Sequence, residues 1–204
     1  GAFGKESAKA VWEASFAAID QIAAIIRNEK LKCDFKWVPG YLHASLKGDA
    51  KKERKALETD AQLAQELGFE AEFLDSIPYF KQPGVRFSNQ ARFHPLKYLS
   101  ALARMIPGKG SYLFENAAAE TFEETPLTVH AGGHKIRCDY IFLATHTPLM
   151  GTTGLVSATL FQTKLSLYTT YVLGASLPRG LLPEASFWDT GNPYYYLRID
   201  CRRG

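Results

Sequence analysis

The residues that could recognise a small anion lie in the last predicted strand of the chain, PYYYLRID at Pro193–Asp200. Because side chains alternate between the two faces of a strand, Tyr194, Tyr196 and Arg198 share one face. A guanidinium offers two parallel donors to a carboxylate, and phenol hydroxyls add further donors. The pattern therefore predicts either a carboxylate-binding face or an ordinary strand with a surface arginine.

Two histidines and one tyrosine occupy other positions at which site residues are common. His94 lies between a predicted strand and the helix that Pro95 begins, so it is either a site residue or, more simply, a cap of that helix. His146 follows a predicted buried strand and allows the same two interpretations. Tyr171 lies inside the predicted strand Lys164–Ser176, where it is either a core residue or part of a site wall.

His130 and His134 flank a Gly-Gly pair and raise the possibility of a metal site. With the glycines as a two-residue hairpin turn, Ala131 faces His134 and His130 faces Lys135. The two imidazoles then project from opposite sides of the ribbon and cannot converge on one ion. We therefore expect no metal site here.

Composition narrows the class of protein. A net charge of +3 over 204 residues gives no argument for nucleic-acid binding. The three cysteines show no C-x-x-C spacing, which fits a reducing compartment. No apolar run reaches the length of a membrane span, and the N-terminus lacks the pattern of a signal peptide. We expect a soluble, cytoplasmic protein with no nucleic-acid partner and no membrane insertion.

Motifs that bind nucleotides or activate nucleophiles are absent from the sequence. It contains no P-loop, no nucleophile elbow, no H-E-x-x-H and no G-x-G-x-x-G. Gly108 and Gly110 precede a predicted strand, whereas a pyrophosphate cradle opens a helix. The missing fingerprint argues against an NAD(P)-linked reductase.

The elements that must position these residues indicate an α+β fold with mostly hairpin-connected strands and one parallel element. Apolar residues at helical spacing and end signals predict three helices, at Lys5–Lys30, at Asp49–Leu67 before Gly68, and from Pro95 to Met105. The predicted strands are two extended segments about a Pro39-Gly40 turn, Val85–Phe87, Gln90–Phe93, Ser111–Asn116, Ala117–Glu124, the Gly132-Gly133 hairpin, Tyr140–Leu143, Lys164–Ser176 and Pro193–Asp200.

The apolar run Tyr140–Leu143 has the composition of a strand buried on both faces, as in a parallel sheet. Small residues follow it at Ala144 and Thr145. The carboxyl end of such a strand is where α/β sheets bind ligands, so we expect a ligand to lie across it.

Six phrases of the sequence, taken together, resemble a known family. They are CDFKWVPGYLHA, GVRFSNQARFHPLKYLSALA, LFENAAAETFEE, CDYIFLATHTP, TKLSLYTTYVLGASLP and FWDTGNPYYYLRID, and they follow family order along nearly the whole chain. The resemblance is to the FAD-dependent oxidoreductases of the D-amino-acid oxidase, glycine oxidase and sarcosine oxidase superfamily. It is greatest to a bacterial branch whose chains commonly add a C-terminal Rieske iron–sulfur domain.

The resemblance implies that this chain is the central fragment of a flavoprotein. Residues 35–105 and 160–200 would form mainly the substrate domain, with a mixed or antiparallel sheet and helices. Residues 111–148 would supply strands of an incomplete FAD-binding α/β domain, whose N-terminal G-x-G-x-x-G unit and C-terminal segment the sequence lacks. The implied cofactors of the full-length protein are FAD and, in this branch, a Rieske [2Fe-2S] cluster. We expect the fragment alone to hold no FAD and to be inactive.

The family's cofactor contacts fall on four positions of this chain by the same resemblance. Ala119 stands where a valine is usual beside the adenine. Ala144, Thr145 and His146 occupy the A-T-G motif beneath the flavin, with a histidine in place of the glycine.

The substrate side of the implied site involves four other residues. Tyr196 and Arg198 would bind a substrate carboxylate, and His94 and Tyr171 would line the pocket. The implied reaction is oxidation of a C–N bond in an amine or amino acid by hydride transfer to flavin. The alternative is a non-catalytic ligand- or protein-binding module that retains the substrate-domain fold. In that module Tyr196 and Arg198 would face solvent or pack structurally and would adjoin no cleft.

Overall fold

A computed structural model describes residues 4–144 and 169–199. The helices are α1 (Gly4–Asn28), α2 (Ala50–Glu66) and α3 (Pro95–Ala103), and the strands are β1 (Lys36–His43), β2 (Ala71–Leu74), β3 (Gly84–Arg92), β4 (Ala119–Glu124), β5 (Leu127–Ala131), β6 (His134–Arg137), β7 (Ser186–Asp189) and β8 (Tyr196–Arg198). They form two compact units, residues 1–106 with 176–204 and residues 107–175. The predicted α+β class is confirmed.

Both ends of α2 and the start of α3 lie where their sequence signals predict, whereas α1 and α3 each end two residues earlier than predicted. The carboxylate of Asp49 accepts hydrogen bonds from the backbone amides of Lys51 at 3.0 Å and Lys52 at 3.4 Å, which caps α2. Gly68, with φ +90°, follows α2 in the left-handed conformation that suits glycine. Pro95 opens α3, since the missing amide of proline costs nothing in a first turn.

The first unit contains a five-stranded mixed sheet in the order β2-β3-β1-β7-β8. Among the described strands, one parallel pairing joins β1 to β7, with Tyr41 opposite Phe187, and the other pairs of this sheet are antiparallel. The parallel partners come from opposite ends of the chain. The mixed sheet therefore contains a parallel pairing, as the sequence indicated, but it involves β1 and β7 and not the apolar run Tyr140–Leu143.

Two predictions for this sheet are wrong in detail. Pro39 and Gly40 do not form a turn, because β1 runs straight through them with a register irregularity between Val38 and Gly40. A bulge lets a strand accommodate a proline that cannot donate to the ladder. The two short strands predicted within residues 85–93 are one continuous strand, β3, and β7 was not predicted at all.

Both faces of this sheet are covered by apolar side chains. On one face, Leu57 and Ala61 of α2 pack against Val85, and Trp12 of α1 packs at the margin of the same cluster. On the other face, Ile77 packs with Tyr41, Phe187 and Ala185. Fully burying one large side chain of this kind stabilises the fold by about 1.5–3 kcal/mol.

The second unit is an antiparallel sheet in the order β4-β5-β6. Ala131 faces His134 and His130 faces Lys135, which confirms the predicted register of the hairpin. Gly132 and Gly133 have φ values of +55° and +79°, so both are left-handed, as a type I′ turn requires.

Other strands predicted in and near this unit are absent. Ser111–Asn116 forms only an isolated bridge from Ser111 to Gly108, and Tyr140–Leu143 is not a strand. Phe142 is 90% exposed. A strand buried on both faces needs hydrogen-bonding neighbours on each side, and the described strands provide none here. The described part of Lys164–Ser176, residues 169–176, is not a strand either.

Candidate functional site

The short strand β8 presents the two residues that the sequence singled out for carboxylate binding. Tyr196 and Arg198 are exposed on one face, while Leu197 between them packs toward the core on the other. Tyr196 retains 60% of its surface exposed. The strand is shorter than predicted, and Tyr194 precedes it. The alternation of Tyr196 and Arg198 with Leu197 is confirmed.

Small residues lie beside Arg198 across the sheet. Arg198 pairs with Ser186, which pairs with Gly40 on β1. A side chain at residue 40 would meet the indole of Trp188 at 2.7 Å, so the tryptophan ring lies over this glycine. The same ring stacks on Phe87 with centroids 6.1 Å apart. The polar pair on β8 therefore adjoins an aromatic wall.

A cavity of about 180 Å³ opens between α1 and this face of the sheet. Trp188, the cross-strand neighbour of Tyr196, lines it together with Trp12, Phe16 and Phe87. Tyr196 and Arg198 are exposed and are not among the residues that line this cavity, so the geometry is compatible both with a substrate site and with the binding-module alternative.

The loop before β8 is held by a buried acid that the sequence analysis did not identify. Asp189 is 5% exposed, and one carboxylate oxygen accepts hydrogen bonds from the amides of Gly191 at 3.1 Å and Tyr195 at 2.9 Å. The next residue, Thr190, donates its hydroxyl to Glu53 of α2. The sequence feature that could have indicated this role is an aspartate immediately before the turn-forming residues Thr-Gly-Asn-Pro.

His94 acts locally at the start of α3. Its ring nitrogen Nδ1 accepts from the Lys97 amide at 3.3 Å, and its backbone amide donates to the Cys33 carbonyl at 2.7 Å. Phe87 on β3 lies in the same cross-strand row as Arg198, through Gly40 and Ser186. His94 is seven residues further along the chain than Phe87, which at the rise of a strand corresponds to roughly 23 Å. The structure therefore does not bring His94 to Tyr196 and Arg198.

The structure shows few contacts for the remaining predicted site residues. Tyr171 belongs to the second unit, in irregular chain, and is 92% exposed. Ala119 is the first residue of β4 and pairs with Ala131, and Ala144 is exposed. Thr145 and His146 lie outside the described residues. Their assigned roles stay predictions.

His130 takes part in a cross-strand hydrogen bond. Its Nε2 lies 2.7 Å from Glu123 Oε1 on β4, and this hydrogen bond, helped by Lys135, holds the pKa of Glu123 below its ordinary value. Within the described ranges, no group of three or more His, Cys, Asp or Glu side chains could hold a metal ion.

The N-termini of α2 and α3 are not available to bind the pyrophosphate of FAD. A dinucleotide pyrophosphate is bound by free amides at a helix N-terminus. The N-terminus of α2 is occupied by the Asp49 carboxylate, and that of α3 is capped by His94. Neither is open to a phosphate, and the second unit has no helix among its described residues.

Comparison with known proteins identifies the family to which this chain belongs. The chain matches the family described as FAD dependent oxidoreductase over residues 1–203 and belongs to that family. A Bacillus subtilis protein named as a Rieske 2Fe-2S iron–sulfur protein, YhfW, is 28% identical over 206 aligned residues, which cover 99% of this chain. This chain spans 38% of the length of that relative.

Two solved structures share the fold. L-proline dehydrogenase from P. horikoshii superposes with a TM-score of 0.60 over 92% of this chain and 51% of its own, at 12% identity. Glycine oxidase from Geobacillus kaustophilus superposes with a TM-score of 0.50 over 62% of this chain and 36% of its own, also at 12% identity. The predicted resemblance to this superfamily is confirmed.

None of the helices in the described ranges has an apolar stretch long enough to cross a lipid bilayer.

Proposed function

We propose that the full-length protein oxidises the C–N bond of an amine or amino acid, and that Tyr196 and Arg198 bind the substrate carboxylate. The observation that carries this proposal is their shared exposed face on β8, beside the aromatic wall of Trp188. Membership of the FAD-dependent family supports an oxidoreductase. The two structural neighbours are named for reactions of amino acids, glycine and L-proline.

The role of the chain's own residues is to bind and orient. The Arg198 guanidinium would hold the carboxylate through two parallel hydrogen bonds, and the Tyr196 hydroxyl would donate a third. Fixing the carboxylate also fixes the adjacent carbon. The substrate then loses its orientational freedom when it binds, and this loss does not add to the barrier of the reaction. FAD supplies the electron acceptor in this family.

We further propose that the cofactor is held mainly by parts of the protein outside the described residues. The capped helices α2 and α3 offer no phosphate site. In the second unit the side chains of Tyr140 and Phe142 are 80% and 90% exposed. Exposed aromatic side chains of this kind are expected where a further part of the full-length protein packs over them. On this proposal residues 35–105 and 160–200 form mainly the substrate domain, and residues 111–148 contribute to the FAD-binding domain.

A Rieske cluster is proposed as a second redox centre of the full-length protein. The support is the name of the Bacillus subtilis relative, which this chain matches over 99% of its own length. Electrons would then leave the reduced cofactor through the iron–sulfur cluster. Electron paramagnetic resonance of the dithionite-reduced full-length protein tests this, and absence of a reduced [2Fe-2S] signal in iron-replete protein contradicts it.

The decisive experiment is anaerobic reduction of the full-length flavoprotein by a panel of amino acids and of the corresponding amines without a carboxylate. Arg198→Lys keeps the charge and removes the planar fork, so we expect apparent affinity for the amino acids to fall by about tenfold. Affinity for the carboxylate-free amines should be unchanged. Arg27→Lys, in the last turn of α1, is the matched control.

Two results would contradict the proposal. Full-length protein purified without flavin, and unable to take it up, would favour the non-catalytic binding module. Equal amino-acid affinity in Arg198→Lys and Arg27→Lys would remove Arg198 from the carboxylate site.

A further inference from the structure

A cationic groove lies between the end of α1 and the exposed side of α3. Its volume is about 440 Å³. Lys30 and Lys32 line it from the segment after α1, and Lys97 and Arg104 line it from α3. It belongs entirely to the first unit, at the end of β3 remote from the row of Arg198.

The two walls of the groove are fastened to each other. The Cys33 carbonyl accepts a hydrogen bond from the His94 amide at 2.7 Å. The Asp34 carboxylate accepts from Lys97 Nζ at 2.5 Å, and this hydrogen bond holds the pKa of Asp34 below its ordinary value. Both contacts join the segment after α1 to α3. The groove is therefore a preformed feature of the fold.

Three of the four cations have no acidic partner among the described side chains. Asp34 engages Lys97, whereas Lys30, Lys32 and Arg104 form no ion pair within the described ranges. The hydroxyl of Ser100, which also lines the groove, has no hydrogen-bond partner there either. Residues 97, 100 and 104 recur at three- and four-residue spacing, so α3 directs them to one side.

The backbone at Lys30 has a conformation that is more common for glycine. Lys30 has φ +52°, and the Leu31 amide donates to the Ile26 carbonyl at 2.9 Å, as in the motif that usually ends a helix with glycine. A lysine adopts this conformation less readily than glycine does. Attraction to the helix C-terminus accounts for a cation at the end of α1, but not for the convergence of cations from two elements on one concavity.

We propose that this groove binds a compact polyanion, an organic molecule that carries two or more phosphate groups. Three cations without acidic partners and one hydroxyl donor suit several phosphate oxygens better than a single carboxylate. The volume lies in the range of small-molecule sites, and Leu31 and Leu96 offer apolar surface for an organic part. The inference is independent of the amine-oxidising function proposed for β8.

The test is calorimetric titration of full-length, FAD-loaded protein with pyrophosphate and with ADP, at low and at raised salt. The double variant Lys32→Gln/Arg104→Gln removes two groove cations. Lys51→Gln/Lys52→Gln removes the same charge from the exposed first turn of α2 and is the matched control. We expect the groove variant to lose about tenfold or more in affinity and the control to keep it.

Three results would overturn the proposal. The first is that neither pyrophosphate nor ADP binds. The second is that both double variants lower the affinity equally. The third is that hexaglutamate binds and pyrophosphate does not, which would indicate an acidic protein segment as the ligand. Thermal unfolding of each variant checks that the fold is intact. If the double variant unfolds, the single change Lys32→Gln, at an exposed side chain, is measured in its place.

Discussion

The carboxylate of Asp189 accepts a hydrogen bond from the backbone amide of Tyr195 at 2.9 Å, one residue before β8 begins. The backbone amide of Asp189 in turn donates to the Tyr195 carbonyl at 3.0 Å. Two contacts between the same residues thus close the loop that delivers Tyr196 and Arg198 to their face.

Replacing Asp189 by alanine should destabilise the first unit. The change removes a buried acceptor and leaves the amides of Gly191 and Tyr195 unsatisfied, at a cost of about 1–3 kcal/mol in the free energy of unfolding. Asp189→Asn retains an acceptor oxygen and should cost less. Urea denaturation measures both, with Asp139→Ala, at an exposed position, as control. Equal losses for the alanine and asparagine variants would show that the hydrogen bonds do not carry the effect.

Gly40→Ala tests the contact between Trp188 and β1. The added methyl would lie 2.7 Å from the indole and 2.8 Å from Gln90 Cγ, so the ring must move, at about 1–3 kcal/mol. We expect lower stability and a shifted tryptophan emission spectrum. Gly174→Ala is the control, because nothing lies within 4 Å of a methyl group there. An unchanged spectrum and stability in Gly40→Ala would refute the close packing of Trp188.

Leu57→Ala tests the core between α2 and the sheet. Leu57 is 1% exposed and packs against Val85, so its truncation leaves a cavity and should lower the free energy of unfolding by about 2–5 kcal/mol. Leu46→Ala, at a side chain that is 60% exposed, should change it by less than about 0.5 kcal/mol. Similar losses in both variants, measured by chemical denaturation, would mean that α2 does not pack as described.

Asp34→Asn should have a pH-dependent effect on stability. The hydrogen bond from Lys97 lowers the pKa of Asp34 in the folded state. The resulting stabilisation is present above the ordinary aspartate pKa and is lost as pH falls through the lowered folded value. We therefore expect the variant to melt slightly below wild type at neutral pH and to match it in strong acid. A difference that stays constant with pH would contradict this assignment.

The 204-residue chain by itself should not retain FAD. Neither α2 nor α3 presents free amides to a pyrophosphate, so mixing with FAD and desalting should leave a protein without flavin absorbance in the visible range. The full-length protein, treated identically, is the control. A yellow 204-residue chain with a bound-flavin spectrum would contradict the prediction.

Elements fixed by local chemistry could be predicted from the sequence. Asp49 and Gly68 mark the ends of α2 through capping and a left-handed residue, and both act within one turn of the helix. The register of β5 and β6 follows from the two-residue glycine turn alone. The alternation across Tyr196, Leu197 and Arg198 follows from strand geometry.

Elements fixed by distant partners could not be predicted in the same way. Pro39 looks like a turn residue, but β3 and β7 on either side of β1 keep it in a strand. Ser186–Asp189 is too short and too close to turn residues to stand out, and its pairing with β1 decides its structure. The apolar run around Phe142 has strand composition, but no strand in the described part of the chain lies beside it.

The parallel pairing of β1 with β7 has a consequence for synthesis of the protein. Strand β1 leaves the ribosome well before its partner β7, because residues 44–185 must be translated in between. Until then one edge of the nascent sheet has unpaired backbone groups, which readily pair with other chains. Expression yield should therefore depend on chaperones that shield this edge while the intervening residues are made.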